Sequence, residues 1–374
     1  MELLHCRSVT DVVAAVKSGR RVVPRSGGHC FVDRTSAADA VLDLTGLNAI
    51  TVAADGVATI GAGALLGQVY GELHAAGRAL PAGCGPTVGI AGLTLGGGIG
   101  LVGRKYGLTC DRLLGAQVVL ADGSVVECDD DVEPDLYWAL RGAGGGQFGV
   151  VTEFRFDTIA EPTLTRIAAD WPAAELETVV AAWQAWAPDA PDDLTLNLTI
   201  NGPQAVLIGA SLLPLEPTRT LLAEFADLVG TAVPFELQAG VPLSAVKASF
   251  AEAPSAEPPR IRSEFFEQSL SDGVLRELVG SGRLAFTAMG GAYNRIAAGT
   301  TAFAHRNERF LLETANDRSW SIAHADGSGH VYPNFPDLAL ADGPASYHGS
   351  NLSRLRAVKQ AYDPDRFFDF PQAV

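Results

Sequence analysis

Hydrophobic and polar positions along the first 160 residues follow two different periods, which predicts a mixture of helices and strands. Stretches with apolar positions three or four residues apart predict helices at 8–16, 65–76 and 136–140. Short apolar runs bounded by glycine or polar residues predict strands at 21–24, 41–44, 57–60, 115–120 and 150–156. This part of the chain is therefore expected to fold as an α+β domain.

The pattern changes beyond residue 160, where longer amphipathic stretches and longer apolar runs alternate. It predicts helices at 173–187 and 218–229. It predicts strands at 194–200, 205–213 and 309–314. A second domain is expected to begin here. The stretch 251–262, rich in Pro, Ala and Glu, is predicted to be a loop within that domain rather than a linker between domains.

The composition is that of a globular protein with an acidic surface. With 374 residues and 47% hydrophobic content, the chain can bury two substantial cores. Its formal charge of −16 argues against nucleic acid as a partner, because phosphate binding relies on clustered Lys and Arg. No apolar run reaches the roughly 18 to 20 residues that span a bilayer, and the first residues do not resemble a leader. A cytoplasmic protein that binds neither nucleic acid nor membrane is expected.

Cysteine and histidine spacing indicates neither disulfides nor a metal centre. The five cysteines are an odd number without a C-x-x-C pair, and the seven histidines include no H-E-x-x-H motif. The sequence therefore predicts reduced thiols and no metal site.

The first glycine-rich segment, 59–67, is similar to a dinucleotide-binding fingerprint but does not match it. The segment follows a predicted strand and opens a predicted helix, yet the spacing of Gly61, Gly63 and Gly67 is one residue too long. The acidic residue expected about 20 positions further on is replaced by Arg-Ala-Leu-Pro at 78–81. A tight strand-to-helix connection is the better interpretation, which argues against a nicotinamide-dependent dehydrogenase.

Two further glycine-rich segments indicate a large ligand held by the backbone. In the segment 24–30 (PRSGGHC), Gly27 and Gly28 allow consecutive N–H groups to line an anion-binding turn beside His29. The segment 81–100 combines many glycines with apolar residues and carries no charge. This composition is typical of backbone wrapped around a large flat ligand, since a flexible linker would be richer in serine and charge.

Together these segments resemble the berberine-bridge-enzyme-like oxidases of the vanillyl-alcohol oxidase superfamily. The resemblance rests on an ordered set of motifs, 25–29 (RSGGH), 86–92 (PTVGIAG), 96–98 (GGG), 104–108 (RKYGL), 135–142 (DLYWALRG), 144–151 (GGGQFGVV) and 362–368 (YDPDRFF). It implies an α+β, two-domain flavin oxidase fold, in which residues 1–160 and the C-terminal segment 330–374 form the FAD-binding domain. Residues 161–329 would form the substrate-binding domain, a central antiparallel sheet with helices that covers the substrate.

By this resemblance FAD is the cofactor, and His29 forms a covalent bond to the 8α-methyl of its isoalloxazine. The residues implied to contact FAD are Pro24, Arg25, Ser26, Gly27, Gly28, His29, Cys30, Gly85, Gly89, Ile90, Ala91, Gly92, Leu93, Ile99, Gly149, Val150, Val151 and Asn334. The redox chemistry belongs to the cofactor, and the protein supplies binding and orientation.

Some positions depart from the family pattern. A second attachment cysteine often precedes Pro-Thr-Val-Gly, but here Gly85 stands there and Cys84 lies one residue earlier, so single attachment is predicted unless the loop shifts. A histidine that often assists the flavin is replaced by Leu93, and the tyrosine that commonly acts as base in plant relatives is replaced by Phe335. The chain is also expected to start later than longer relatives do.

With phenylalanine at position 335, three tyrosines are candidates for the catalytic base. Tyr106 matches a position often found in the family's pocket, Tyr332 precedes a proline that could fix a turn instead, and Tyr293 lies in the substrate region. His305 lies in the same region and is expected to be a buried structural histidine.

The implied activity is that of an FAD-dependent oxidase acting on a small organic or natural-product substrate. A base would remove a proton from the substrate, hydride would pass from its C–H bond to flavin N5, and O2 would reoxidise the flavin to give hydrogen peroxide. Two alternatives stay open: a flavin-bound cyclase without net oxidation, and a non-catalytic flavin-binding protein. The substrate's identity is not encoded in any strong motif of the second domain.

Overall fold

The computed structural model describes residues 2–34, 38–231, 233–251 and 260–374. Within these ranges the strands are β1 (Glu2–His5), β2 (Val22–Arg25), β3 (Ala40–Asp43), β4 (Ile50–Val52), β5 (Val57–Gly61), β6 (Arg78–Ala79), β7 (Leu113–Val119), β8 (Val125–Cys128), β9 (Val150–Asp157), β10 (Ile159–Ala160), β11 (Thr163–Pro172), β12 (Leu194–Asn201), β13 (Gln204–Ser211), β14 (Glu236–Pro242), β15 (Arg262–Phe266), β16 (Leu284–Ala288) and β17 (Phe310–Thr314). The α-helices are α1 (Val9–Lys17), α2 (Leu66–Ala75), α3 (Ile90–Leu95), α4 (Gly103–Tyr106), α5 (Pro134–Leu140), α6 (Leu176–Trp186), α7 (Leu215–Val229), α8 (Leu243–Phe250), α9 (Asp272–Val279), α10 (Ala292–Arg295), α11 (Asp317–His324), α12 (Gly343–His348) and α13 (Leu352–Tyr362).

The first part of the chain builds two sheets around one apolar core. Strands β4, β5, β9, β7 and β8 form an antiparallel sheet in that order, and β1, β3 and β2 form a parallel one. Alternate strand residues such as Ile60, Phe154 and Phe156 are fully buried in this core. The segment around α3 lies against this core through Ile90, Ala91 and Leu95 and carries one glycine motif, while the other motif directly follows β2.

The C-terminal segment packs into the same core. Leu355, Val358 and Phe368 are buried in the apolar cluster that contains β5 and β9. The buried Lys359 ammonium donates hydrogen bonds to the carbonyl of Gln147 at 2.5 Å and that of Phe368 at 2.6 Å. Its charge is balanced by Asp363, whose carboxylate lies 2.7 Å away. The division of the chain at residues 160 and 329 stays a prediction, but these contacts explain how the last segment belongs with the first.

A second core forms on one face of a larger antiparallel sheet, whose seven strands run in the order β14, β11, β13, β12, β16, β17 and β15. Along β12, Leu194, Leu196 and Leu198 point into this core, while the polar residues between them point to the opposite face. Helices α6, α7, α9 and α11 cover the apolar face, and Trp171 and Trp183 fill it without exposure.

Each predicted helix and strand has a counterpart, with boundary shifts that have local causes. Helix α1 begins one residue late because Ser8 is its N-cap, and the Ser8 hydroxyl and Asp11 carboxylate form a capping box. Helix α7 begins at Leu215, before the predicted start, because Pro217 falls in its first turn, where no intrahelical N–H is needed. The predicted loop 251–262 lies mainly outside the described residues, and Arg262 at its end belongs to β15.

In the described part of the chain, no helix is both long and apolar enough to cross a bilayer.

Candidate functional site

Two glycine loops cross at direct backbone contact, at Gly27 and Gly89. A side chain on Gly27 would overlap the backbone nitrogen of Gly89, and a side chain on Gly89 would overlap that of Gly27. The Ser26 hydroxyl fixes the first loop by donating a hydrogen bond of 2.7 Å to the carbonyl of Ala62. Strand β2 delivers this loop directly from Pro24 and Arg25. The crossing therefore requires glycine at both positions and brings the two predicted cofactor segments together.

His29 lies at the open edge of this crossing. Gly28 has a positive φ of 73°, which turns the chain, and His29 and Cys30 that follow are exposed. The Nε2 atom of His29 lies 2.9 Å from the Thr87 hydroxyl of the other loop. This contact joins the imidazole to the Pro-Thr-Val-Gly motif and leaves Nδ1 on the other side of the ring.

Helix α3 and the residue before it form the floor of the second loop. Gly89 is the N-cap of α3, and Ile90 and Ala91 are buried in the first core. A side chain on Gly92 would meet nothing within 4 Å, so this face of the helix is open. The Leu93 side chain packs toward the glycines on either side of the segment, including Gly98. Leu93, which stands where the family resemblance leads one to expect a histidine, therefore makes apolar contacts.

Tyr332 is the most highly connected of the three candidate tyrosines. Its buried phenol oxygen accepts hydrogen bonds from the backbone N–H of Gly98 at 3.0 Å and of Ile99 at 3.2 Å. The Asn334 amide donates to the same oxygen at 2.9 Å and to the Leu93 carbonyl at 2.9 Å. Burial raises the pKa of Tyr332 to about 12, and these three hydrogen bonds act against the rise.

Phe335 links this region to the loop that carries His29. Its ring lies 5.4 Å from the ring of Phe31 and 5.0 Å, edge to face, from that of Tyr332. Phe335 therefore contributes an apolar wall between the loop that carries His29 and Tyr332, and it offers no group that accepts a proton.

The other two candidate tyrosines have different surroundings. The Tyr293 hydroxyl donates to the Gly100 carbonyl at 2.7 Å and accepts from the Gly100 N–H at 3.1 Å. This pairing uses both hydrogen-bonding functions of the phenol, so it favours a structural role for Tyr293 over the predicted catalytic one. Tyr106 is half-buried in α4 and packs in an apolar cluster together with Leu101 and Cys84.

The predicted cofactor residues 149–151 pack inside the first core. A side chain on Gly149 would overlap Val118 of β7, and Val150 and Val151 begin β9 inside the core. The preceding Gly144 N–H donates to the Leu95 carbonyl at 2.7 Å, so this segment supports α3 from below. The structure therefore gives residues 149–151 a packing role. The sequence predicted only that they contact the cofactor.

Two polar residues on the larger sheet were missed by the sequence analysis. Asn197 of β12 and Thr287 of β16 alternate with residues of the second core, so they lie on the opposite sheet face. Thr287 pairs with Leu311, whose side chain joins Tyr332 in a small apolar cluster. The alternation along β12 was the available signal, but it does not reveal which surface the polar face meets.

These residues fit FAD better than a smaller ligand. The segments 24–31 and 81–100 contain no Asp or Glu, so nothing in their side chains repels a pyrophosphate. Gly28 and Gly92 leave space beside the backbone, and the apolar Val88 and Leu93 suit a flat aromatic ring.

Comparison with known proteins agrees with this fit. A family model described as "FAD binding domain" matches residues 3–129, and one described as "Berberine and berberine like" matches residues 331–374. An uncharacterised FAD-linked oxidoreductase of Bacillus subtilis is 31% identical, over 100% of this chain and 90% of its own. The chitooligosaccharide oxidase of Gibberella zeae is 30% identical, over 98% of this chain and 85% of its own.

Solved structures show the same similarity over the whole chain. The berberine-bridge-enzyme-like protein 1 of Physcomitrella patens has a TM-score of 0.89 and 29% identity, covering 100% of this chain and 90% of its own. A glucooligosaccharide oxidase from Acremonium strictum has a TM-score of 0.87 and 26% identity, covering 100% and 91%. The latter protein is described with a 6-S-cysteinyl, 8α-N1-histidyl FAD.

Proposed function

Because this chain belongs to the berberine-bridge-enzyme-like family of FAD-linked oxidases, we propose that it binds FAD through one covalent bond from His29 and oxidises a hydroxyl-bearing small molecule. The observation that carries the proposal is the position of His29 at the open edge of the Gly27–Gly89 crossing, against Thr87. When bound, FAD accepts hydride from the substrate at N5 and transfers the electrons to O2, giving hydrogen peroxide.

The contact with Thr87 orients His29 for attachment. If Nε2 carries the proton, it donates to the Thr87 hydroxyl at 2.9 Å, and Nδ1 keeps the lone pair that forms the bond. The histidyl linkage named for the Acremonium enzyme supports a bond of this type. Thr87 is thus a positioning residue for the attachment.

The surroundings of Cys84 support a single covalent bond. Cys84 packs with Leu101 and Tyr106 rather than with the His29 loop. Burial raises the pKa of its thiol, with the nearby Lys247 acting in the opposite direction, so the neutral form is favoured. A neutral, packed thiol is a poor nucleophile, and Gly85 offers none.

Tyr332 is the residue to which we assign the proton transfer. A neutral phenol oxygen accepts two hydrogen bonds at most, whereas three N–H donors converge on this one. Burial keeps the phenol mainly protonated, but these three donors oppose the rise in its pKa, so they would stabilise the phenolate form that takes the proton of a substrate hydroxyl as its C–H bond breaks. Phe335 beside it would exclude water from the site.

Relatives and the sheet face together support a carbohydrate or another polyol as substrate. Three of the similar fungal enzymes are named for oxidising chitooligosaccharides, xylooligosaccharides and glucooligosaccharides. Asn197 and Thr287 provide hydrogen-bonding groups on the sheet face that adjoins Tyr332. The cytoplasmic location expected from the sequence, and O2 as electron acceptor, stay predictions.

Acid precipitation of the purified protein tests the proposed attachment. We expect flavin absorbance to remain in the pellet for the wild type and for Cys84→Ala, and to appear in the supernatant for His29→Ala. Release from the wild type would contradict covalent attachment, and release from Cys84→Ala would contradict a bond through His29 alone.

Oxygen uptake with a panel of mono- and oligosaccharides tests the oxidase activity. Hydrogen peroxide formed in equal amount to the oxygen consumed is the expected result. Substrate conversion without oxygen uptake would instead support the cyclase alternative.

A further inference from the structure

Three potential metal ligands from two segments of the chain lie close together near Tyr332. His305, Glu308 and His330 each offer one ligand atom, and these atoms lie within 4.8 Å of one another. His305 and Glu308 precede β17, and His330 lies two residues before Tyr332. The three residues do not form a metal-binding spacing motif in the sequence, which is why the sequence predicted no metal site.

The imidazole of His305 presents an unprotonated nitrogen to this group. Its Nε2 lies 2.8 Å from the backbone carbonyl of Tyr347, and a carbonyl only accepts, so Nε2 carries the hydrogen. Nδ1 therefore keeps its lone pair, and it is buried without a hydrogen-bond partner among the described residues. Histidines that bind metals are typically held in this way, with the other ring nitrogen donating to a carbonyl or carboxylate.

Glu308 supplies a buried carboxylate to the same space. Its Oε1 lies 3.1 Å from His330 Nδ1 and 3.8 Å from His305 Nδ1. Its Oε2 is buried and has no hydrogen-bond partner in the described ranges. A carboxylate that is 1% exposed is costly to bury unless it is fully paired or bound to a cation. His305 and Glu308 thus each contribute a buried ligand atom without a hydrogen-bond partner in the described ranges, and Oε1 of the same carboxylate lies close to both imidazoles.

We propose that His305, Glu308 and His330 bind one divalent transition-metal ion, with zinc as the best match. Two imidazoles and one carboxylate form a ligand set that zinc accepts, with a fourth position left for water. In a tetrahedral zinc site each ligand atom lies about 2.0 to 2.1 Å from the ion. The Glu308 carboxylate oxygen now lies 3.1 and 3.8 Å from the ligand atoms of the two histidines, so small side-chain rotations would allow all three residues to reach one ion. The His330 side chain, 35% exposed, provides the access to solvent.

The location gives this ion a structural role near the catalytic tyrosine. The His305 ring lies 4.8 Å from that of Phe265, and Phe265 lies 6.3 Å, edge to face, from Tyr332. A bound ion would tie the segment before β17 to the segment that carries Tyr332 and Asn334. The proposal does not depend on the flavin linkage or on the substrate.

Metal titration of the untagged flavoprotein tests this site. After dialysis against a chelator, the protein is titrated with Zn²⁺ and, separately, with Co²⁺, and bound metal is counted by mass spectrometry. We expect one ion per chain and a rise in the unfolding temperature with Zn²⁺. Co²⁺ should give d–d absorption bands at longer wavelengths than the flavin absorbs, which report coordination by nitrogen and oxygen.

The variants His330→Ala and Glu308→Gln should bind Zn²⁺ at least about tenfold more weakly and lose both the cobalt bands and the thermal shift. His324→Ala is the matched control, because His324 Nδ1 lies 2.8 Å from the buried Glu264 carboxylate in a pair outside the proposed ligand set. It should bind metal as the wild type does. Wild-type protein without stoichiometric metal, or His330→Ala with unchanged affinity, would overturn the proposal. A loss in His324→Ala equal to that in His330→Ala would also overturn it, because binding would then follow exposed histidines in general.

Discussion

The Tyr332 oxygen is the single atom on which the proposed proton transfer depends. Replacing Tyr332 by Phe removes the oxygen but keeps the ring contacts with Phe265 and Phe335. We expect flavin to stay attached and kcat/KM to fall by about 10² to 10⁴-fold, the contribution typical of a positioned acid or base. The measurement is the rate of flavin bleaching under anaerobic conditions with the best substrate, as a function of pH.

Tyr106→Phe is the control for Tyr332→Phe, and its rate should stay near that of the wild type. A pH profile of Tyr332→Phe that keeps the wild-type shape and height would contradict the assignment of the base. Loss of stability alone would leave the rate per folded, flavin-bearing chain unchanged. The Gly98 and Ile99 N–H groups lose their acceptor in the variant, which costs about 1 to 3 kcal/mol for each buried group left unpaired.

At the level of single residues, the sequence carried more information on the glycine loops than on the candidate base, and attachment through His29 stays a prediction. His29, Gly27 and Gly89 lie within short motifs, and the family resemblance carried by those motifs identified them as cofactor residues. Tyr293 and Tyr332 could not be ranked, because their roles depend on partners that lie 193 and 234 residues away in the chain. The grouping of His305, Glu308 and His330 is invisible in sequence for the same reason.

At the level of elements, the crossing of the two glycine loops is the feature least tolerant of change. In Gly27→Ala the new methyl group would meet the backbone of Thr87 and Gly89, which cannot rotate away as a side chain could. We expect the loops to separate and the purified protein to carry little flavin. Flavin per chain, measured from visible absorbance, decides the outcome.

Gly71→Ala is the matched control for Gly27→Ala. Gly71 lies within α2, and a side chain there would meet nothing within 4 Å. Alanine should raise stability by up to about 1 kcal/mol through helix propensity and leave flavin content unchanged. Full flavin content in Gly27→Ala would show that the crossing is more adaptable than its backbone contact indicates.

Helices and strands were predictable where a local pattern was clear. Regular alternation identified β12 and β13, and the 3.6-residue period identified α2, α6 and α7. The strands β11, β14 and β16 were not predicted, since their pairing across the larger sheet is a tertiary property that β propensity reflects weakly. Short helices such as α3 and α4 are flanked by glycines that favour turns, and packing against neighbouring residues maintains them.

At the level of the whole molecule, Lys247 joins the two parts of the chain through a buried amine. From α8 its ammonium group donates to the Leu80 carbonyl at 2.8 Å and lies 3.9 Å from the centre of the Tyr70 ring. Burial lowers the pKa of Lys247 from 10.5 to about 7, because the charged form is poorly solvated there. The unfolded chain therefore binds more protons than the folded one between these two values.

Because the unfolded chain binds more protons than the folded one, the stability of the fold rises with pH in this range. The contribution of Lys247 is greatest above pH 10.5 and decreases as the pH falls toward 7. Between pH 7 and 8.5, before tyrosines titrate, the free energy of unfolding of the wild type should rise relative to Lys247→Met by about 1 kcal/mol per pH unit. Urea unfolding at several pH values measures it, and parallel curves for the two proteins would contradict the lowered pKa.

The hydrophobic pattern predicted that a second domain begins near residue 160, but the return of the C-terminal segment to the first domain followed from the family resemblance alone. No local signal shows that Leu355 and Phe368 pack beside β5 and β9, because the intervening chain forms a core of its own. Likewise, Arg104 reaches the carbonyl of Leu194 at 3.1 Å and that of Pro188 at 2.8 Å, contacts between segments that composition does not connect.

The positions of the two cores along the chain determine which core can form first during translation. Every member of the second core lies between Ile167 and Ala323, so that core can close as soon as those residues have left the ribosome. The first core needs Leu355, Val358 and Phe368, which are translated afterwards. We therefore expect the first core to keep apolar surface uncovered during synthesis until residue 368 has been translated, at a stage when the second core can already have closed.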